Sequence, residues 1–299
     1  MKILSFGSMN IDNTYSVDEF VQPGETMTAK NLSKFCGGKG LNQSIALASA
    51  GADVAHFGCV GEDGDILLDM LKSRGVNTDS VIKIDNITSG HAIIQVDSHG
   101  QNSILLYPGA NRRMTPELID RELEKYSCGD WLLIQNETNC LEYIMRAANK
   151  KGMKIAFNPS PMDGTVSTLP LEFVDLFLVN EIEGAAVTGK EITEEITAEF
   201  EKLFPNAAVI LTLGKKGSIF KSEKDMLFQP SYCGTVKDTT GAGDTYTGFF
   251  IANYINGVSP QECMRIAAMA STVQISRDGA AIAIPTKQEV LNALKNHCR

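Results

Sequence analysis

Asp238-Thr239-Thr240-Gly241-Ala242-Gly243-Asp244 runs straight into Thr245-Tyr-Thr-Gly-Phe-Phe-Ile-Ala-Asn-Tyr-Ile255, a stretch of helix-forming and apolar residues. A short glycine-rich turn feeding a helix start presents several unpaired backbone N–H groups, and the helix dipole adds partial positive charge. Such a turn is a site for an anion, often a phosphate. Yet it ends in Asp244, a carboxylate that phosphate repels. A base beside a phosphate site has a use in phosphoryl transfer. The carboxylate takes a proton from the attacking hydroxyl while the turn amides of Gly241, Ala242 and Gly243 hold the transferring phosphate. Taken alone, the motif is equally readable as a tight loop-to-helix connection with an acidic N-terminal cap.

Outward from this turn, apolar bursts alternate with helical patterns. Residues 3–9, 54–60, 131–135, 154–157, 174–179 and 208–213 read as short buried strands. Residues 42–50, 66–74, 141–150 and 192–204 read as amphipathic helices, with Gly75 and Gly152 as stops. This alternation predicts the α/β class: a three-layer, doubly wound, mainly parallel sheet with helices on both faces. Two stretches break the pattern, at about 11–35 and 87–107. The second contains two β-like runs and reads as a hairpin turning at Ser98-His-Gly-Gln101. Together they predict a small β-sheet lid outside the main sheet. No linker, repeat or low-complexity segment interrupts residues 1–299, which read as one domain carrying that lid.

Composition bounds the function. The 299 residues are 43% hydrophobic and 21% charged, ordinary for a globular protein with a large core. The formal charge of −9 offers no basic face for nucleic acid. The acidic run 191–201 reads as the solvated face of a helix. Seven cysteines (Cys36, Cys59, Cys128, Cys140, Cys233, Cys263 and Cys298) form no C-x-x-C pair. Their odd number fits a reduced, cytoplasmic protein better than a disulfide framework. The four histidines show no metal spacing, which argues against a structural zinc site. The N-terminus turns polar too soon for a signal peptide, and no apolar run reaches the ~20 residues that span a membrane. Neither nucleic acid nor membrane is an expected partner.

In an open parallel sheet, ligands bind at the carboxyl ends of the strands. Here polar residues follow the expected strands repeatedly: Asn10 and Asp12, Asn136 and Glu137, Asn180 and Glu183, and Gly214-Lys-Lys-Gly217. Each one alone is a cap or turn residue. All of them converging on one rim with the 238–244 turn read as a site. A second glycine-rich turn, Gly37-Gly38-Lys39-Gly40-Leu41-Asn42-Gln43, also enters a helix. It lacks the Walker frame. Its glycines let the backbone approach a ligand, and Asn42 is placed to bind a hydroxylated one.

With both turns in view, the chain resembles the ribokinase-like (PfkB) carbohydrate kinase family. Gly37-Gly-Lys-Gly-Leu-Asn42, with Gly51-Ala52 and Gly58-Cys-Val-Gly-Glu-Asp63 behind it, resembles the N-terminal signature, and Asp238–Asp244 the C-terminal one. The likeness runs from Gly7-Ser-Met-Asn-Ile-Asp12 to Arg277-Asp-Gly279 and Pro285. Within the family it is strongest to the ribokinase branch, through Asn10-x-Asp12, Pro23-Gly-Glu-Thr26, Asn42-Gln43 and Gly109-Ala-Asn111.

The resemblance implies ATP-dependent phosphorylation of the terminal hydroxyl of a pentose, D-ribose first, with Asp244 as general base. It implies that Asn10, Asp12, Gly38, Lys39, Asn42 and Glu137 hold the sugar, with Ala92, Ile94 and Leu106 as an apolar cover. Asn180 would lie near ATP, Glu183 would organise the water shell of Mg²⁺, and Thr212, Gly214 and Gly217 would line the adenosine side. Asp238 and Thr240, with carbonyls of Gln274, Arg277 and Gly279, would hold a monovalent cation such as K⁺. A homodimer through the lid is implied as well. Two positions depart from the family's pattern. Ala283 stands where many members have a Ser that completes the cation shell, and Ala268 where Asn or His often flanks adenine.

Three rival readings share these residues. One is a same-fold kinase for deoxyribose, another sugar or a nucleoside. Another is a non-catalytic sugar-sensing relative, disfavoured by the intact Asp244, Gly241, Gly243 and Glu183. The third, a Rossmann oxidoreductase, lacks a G-x-G-x-x-G after the first strand.

Overall fold

The computed structural model describes residues 1–297. The chain forms two sheets. Strands are numbered in chain order as β1 (Ile3–Phe6), β2 (Asn10–Ser16), β3 (Asn31–Gly37), β4 (Val54–Val60), β5 (Val81–Lys83), β6 (Gly90–Val96), β7 (Asn102–Tyr107), β8 (Trp131–Gln135), β9 (Lys154–Asn158), β10 (Leu176–Asn180), β11 (Ala208–Thr212), β12 (Ser218–Lys221) and β13 (Met226–Gln229). The α-helices are α1 (Lys39–Ser49), α2 (Asp65–Ser73), α3 (Pro116–Leu123), α4 (Leu141–Lys150), α5 (Glu181–Thr188), α6 (Thr193–Leu203), α7 (Ala242–Tyr254), α8 (Pro260–Gln274) and α9 (Lys287–His297).

The large sheet has nine strands in the order β13-β12-β11-β10-β9-β8-β1-β4-β5. It is parallel from β5 through β11, and the hairpin β12–β13 extends it antiparallel. Parallel strands buried on both faces need apolar residues throughout, as in the fully buried Leu132, Leu133 and Ile134. Successive side chains point to opposite faces. Leu132 and Ile134 accordingly belong to the core that contains α3, α4 and α6, whereas Leu133 belongs to the core that contains α1, α2, α7, α8 and α9. This is the expected three-layer α/β architecture. No helix among the described residues is long and apolar enough to cross a membrane.

The first strand is shorter than the apolar run suggests. It stops at Phe6, and residues 7–9 carry the chain out of the large sheet. Asn10 and Asp12 therefore lie on β2, in the second sheet, and not at the tip of β1. That four-stranded sheet has the order β3-β2-β6-β7. Asp12 pairs in register with Phe35 and Ala92, and Ala92 with Leu106. Residues paired in register share a face, so Asp12, Ala92 and Leu106 point the same way, as does Ile94 two residues on. Between β6 and β7 the chain turns through residues 97–101, where the Asp97 amide donates to the Gln101 carbonyl at 3.0 Å.

Candidate active site

The carboxyl ends of the large sheet carry Gln135, Asn158, Asn180 and Thr212, with Gln135 opposite Asn158 and Asn180 opposite Thr212. Two helices begin above them. Helix α1 starts after Gly38, at φ 93°, and α7 after Gly241, at φ 79°. Both values lie in the left-handed region that glycine alone enters without strain. Neither Gly38 nor Gly241 has a side chain to cap its helix. The first amides of α1 are instead taken up by Glu137 and Ser8, and in α7 the Ala242 amide bonds the Thr239 carbonyl at 3.2 Å. Helix α1 sits directly on the chain leaving β1: a Cβ on Gly40 would lie 2.5 Å from the Gly7 backbone.

Asp244, in the first turn of α7, is only 7% exposed. One carboxylate oxygen accepts from Asn42 Nδ2 at 3.0 Å and the other from Gln43 Nε2 at 2.9 Å. Gln43 Nε2 also donates to Asn158 Oδ1 at 3.1 Å, and Gln43 Oε1 accepts from Gln135 Nε2 at 2.8 Å. Asn158 Nδ2 in turn donates to the Leu178 carbonyl at 2.8 Å. A relay of amides thus runs from the strand ends through Gln43 to one oxygen of the carboxylate, while Asn42 holds the other. A buried charge requires such donors.

Lys39, at the first position of α1, lies among three carboxylates. Burial alone would lower its pKa, but Asp244, Glu137 and Glu183, in that order, outweigh burial and hold it above the ordinary lysine value. Glu137 accepts from the Lys39 amide at 2.9 Å and from the Ser8 hydroxyl. Asn10 Oδ1 accepts from Asn111 Nδ2 at 2.8 Å, and Asn111 Oδ1 accepts from the Met9 amide at 3.0 Å. Asp12 faces this group from the small sheet, and its carboxyl is pushed up to about 6, first by burial and then by the charge of Glu137. On the same sheet face Ala92 is buried and Ile94 half-buried, whereas Leu106 is 46% exposed.

On the other side of Asp244 a cavity of 170 Å³ opens, lined by Lys39, Asn180, Glu183, Thr212, the 241–244 turn and Asn158, among others. Asn180 and Glu183 form a capping box at the start of α5. Asn180 Oδ1 accepts from the Glu183 amide at 2.8 Å, and Glu183 Oε2 accepts from the Asn180 amide at 3.0 Å. Gly214 and Gly217 are not among the lining residues. Gly217 sits where any Cβ would lie 2.1 Å from the Gln229 carbonyl, at the base of the β12–β13 hairpin. Ala268 is buried in the core beside α7. Among the described residues no cluster of three or more His, Cys, Asp or Glu side chains is placed to cage a metal.

The loop leading into α7 has its own fastenings. Burial would raise the Asp238 pKa, but hydrogen bonds from the Thr240 hydroxyl and amide and the Gly279 amide hold it below the ordinary carboxyl value. The Gln274 carbonyl accepts from the Arg277 amide at 3.0 Å, and the Arg277 side chain pairs with Glu289. Gln274 Nε2 donates to the carbonyls of both Thr240 and Gly279. Ala283 contributes only a buried methyl. A nitrogen donor already stands between two of the oxygens expected to coordinate K⁺, so the residues present do not fit that cation.

A family model described as pfkB family carbohydrate kinase matches residues 1–287. The chain belongs to the pfkB family of carbohydrate kinases. This kinase is therefore a phosphotransferase with an alcohol group as acceptor. A ribokinase of Haemophilus influenzae is 33% identical over 298 residues, 97% of each chain. A deoxyribokinase of Salmonella typhi is 29% identical over 97% of each chain. Among solved structures, Arabidopsis thaliana ribokinase complexed with ribose and ATP aligns over 98% of each chain, with a TM-score of 0.85 and 29% identity.

Several contacts escaped the sequence reading. Asn158 obeys the strand-end rule that singled out Asn180, but the strand is one residue longer than its apolar run. Gln43 follows Asn42 in a helix, where neighbours normally diverge. In this first turn both reach Asp244, and the signal was a glutamine between the fully buried Leu41 and Ile45. Asn136, by contrast, turns away from the site: its Nδ2 donates to the Pro161 carbonyl at 2.7 Å and to Asp163 at 3.1 Å.

The raised Asp12 pKa has a measurable cost. Folded Asp12 holds its proton up to about pH 6, whereas the unfolded chain releases it near ~3.9. The folded state then binds more protons between those values, so stability falls as pH rises through that window and stays lower above it. The penalty is on the order of 2–3 kcal/mol. Asp12→Asn is expected to melt several degrees above wild type at pH 8, with the gap closing at pH 4. Equal melting temperatures at both pH values would remove the strain assigned to Asp12.

Proposed function

We propose that this kinase transfers the γ-phosphate of ATP to the terminal hydroxyl of a pentose, D-ribose in the first place, giving D-ribose 5-phosphate. The observation that carries this reading is the Asp244 carboxylate, held by Asn42 and Gln43 at the uncapped start of α7. The ribose and ATP bound by the Arabidopsis relative support it. Residues 1–299 are read as one kinase domain whose small sheet is the lid. Six cysteines among the described residues are unpaired thiols, in keeping with a cytoplasmic setting.

The sugar would lie between the lid and α1. Asn10, Asp12 and Glu137 would accept its hydroxyl protons, with Gly38, Lys39 and Asn42 closing the site. Asn42 Oδ1, buried without a partner, is an acceptor suited to a hydroxyl. Ala92, Ile94 and Leu106 would cover the ring and exclude water. ATP would occupy the cavity side, with Asn180 and Thr212 beside it and Gly214 and Gly217 shaping the hairpin near its adenosine. Mg²⁺ bound to the phosphates, its water shell on Glu183, would offset their negative charge.

Asp244 takes the proton as the sugar oxygen attacks phosphorus. The new O–P bond forms as the bond to ADP breaks, and the amides of Gly241, Ala242, Gly243 and Asp244 stabilise the transferring group. Lys39 balances the carboxylates on both sides of the reacting centre.

A coupled ADP-release assay across ribose, deoxyribose, fructose and nucleosides tests the substrate. Ribose is expected to give the highest kcat/KM. Faster turnover of deoxyribose or a nucleoside would move the chain to that same-fold activity, and no turnover on any would favour the sensing relative. Asp244→Asn is expected to lower kcat by about 10³-fold or more while ribose affinity, read by calorimetry, stays within a few-fold. Near-wild-type turnover in that variant would strip Asp244 of the base role.

The lid also proposes a dimer. Its edge strand β7 exposes Ile104, Leu105, Leu106 and Tyr107, between 46% and 67% each. An exposed apolar edge is a pairing surface, and a second copy of this chain is the occupant we assign. Light scattering is expected to give a dimer mass that Leu105→Asp converts to monomer; a monomeric wild type would refute the pairing.

A further inference from the structure

The loop before α7 is stitched to the segment after α8. Asp238 accepts from the Thr240 amide at 2.9 Å and the Gly279 amide at 3.0 Å. Gln274, in the last turn of α8 and fully buried, sends Nε2 to the Thr240 carbonyl and, at 3.3 Å, to the Gly279 carbonyl. The same nitrogen would lie 3.7 Å from a Cβ on Gly241, the residue that opens α7. Converging carbonyl oxygens repel one another unless a cation or an N–H donor stands between them. Here the donor is a side-chain amide of the chain itself. Turned over, that amide would set Oε1 against both carbonyls. In the orientation seen, Oε1 is buried without a partner, so the preference comes from the nitrogen side. Beyond Gly279, Arg74 donates to the carbonyls of Ala281, Ile282 and Ile284 at 2.9, 3.0 and 3.2 Å. A second fixed donor group therefore secures the segment that carries Ala283.

We propose that Gln274 is a built-in replacement for the monovalent cation. Its amide holds the 238–244 loop in the form that presents the α7 amides, and turnover needs no K⁺. Gln274 is thus a positioning residue, acting through Thr240 and Gly241, and the catalytic part of this statement rests on the kinase reading above. The loop form itself does not.

The test compares wild type, Gln274→Ala and Gln274→Met as K⁺ replaces choline at constant ionic strength. Wild-type kcat is expected to stay within about twofold across the series, and its melting temperature to stay level. Gln274→Ala removes the donor and leaves room; its kcat is expected to fall by about 10–100-fold in choline and to recover as K⁺ is added. Its melting temperature should rise with K⁺, because an ion that binds only the folded state stabilises it. Gln274→Met fills the space without a donor, so its loss should persist in K⁺. The proposal is overturned if wild type needs K⁺ or is stabilised by it, or if Gln274→Met keeps wild-type kcat in choline. Should Gln274→Ala not fold, those last two readouts still decide. Melting uses no substrate, so it decides the loop assignment even if no sugar is turned over.

Discussion

Asp244 is held by side-chain amides of residues that lie 202 and 201 positions earlier in the chain. Those two hydrogen bonds bring the start of α1 and the start of α7 to one point. The start of α7 has no capping side chain, whereas the first amides of α1 are taken up by Glu137 and Ser8. A carboxylate in the first turn of α7 is favoured by the helix dipole. Its burial is tolerated because both oxygens are bonded. Remove the carboxylate, and Asn42 and Gln43 lose their acceptor, the relay from Gln135 and Asn158 loses its end, and Lys39 loses its strongest charge partner. The order of the helix starts, the strand ends and the lysine is thus the order of one charge and its donors.

The two sheets are coupled through the same point. The chain leaves β1 at Phe6, passes beneath α1 at Gly7 and enters the lid at Asn10. Ser8 bonds Glu137 at the end of the neighbouring strand, and Asn111 ties Met9 and Asn10 to the segment after β7. The lid's first strand is therefore anchored at its root, while its far edge, β7, is exposed. The small sheet is thus tied to the large one at its root, where β2 begins, and stands apart from it at its far edge.

The layers of the fold were legible because buried parallel strands leave unbroken apolar runs, and those runs stand where β1, β4, β8, β9, β10 and β11 are. The exit of β1 was not legible: Met9 is fully buried and looks like strand, though it serves the core beneath the lid. β12 and β13 were missed because each is only four residues long and ends in polar residues, Ser218 and Lys221 in β12 and Gln229 in β13, so the apolar signal is too short. In the site, the backbone turns announce themselves through glycine, and Asp244 through its position beside them. The amide relay does not, because an isolated buried glutamine has no periodicity and its partners are distant in sequence. Gln274 is the sharpest case. As a polar residue near a helix end it looks like an ordinary C-terminal side chain, and only its burial and its two carbonyl partners give it meaning.

Seven buried polar side-chain atoms among the described residues have no partner; Ser5 Oγ, His56 Nε2 and Thr138 Oγ1 are three of them. Asn42 Oδ1, Gln135 Oε1, Thr245 Oγ1 and Gln274 Oε1 belong to the residues that hold Asp244, continue its helix or secure its loop. An unpaired buried polar atom costs on the order of 1–3 kcal/mol. Each is the far end of an amide or hydroxyl whose near side, in three of the four, is committed to the site: Asn42 to Asp244, Gln135 to Gln43, Gln274 to the loop carbonyls. The amide group has one donor end and one acceptor end, and fixing the donor end toward a carboxylate or a carbonyl strands the acceptor. Asp12, raised by burial and by Glu137, adds a like-charge cost on the opposite side of the same centre. Stability is thus spent where dipoles must already point the right way before a substrate arrives, which is what electrostatic preorganisation requires.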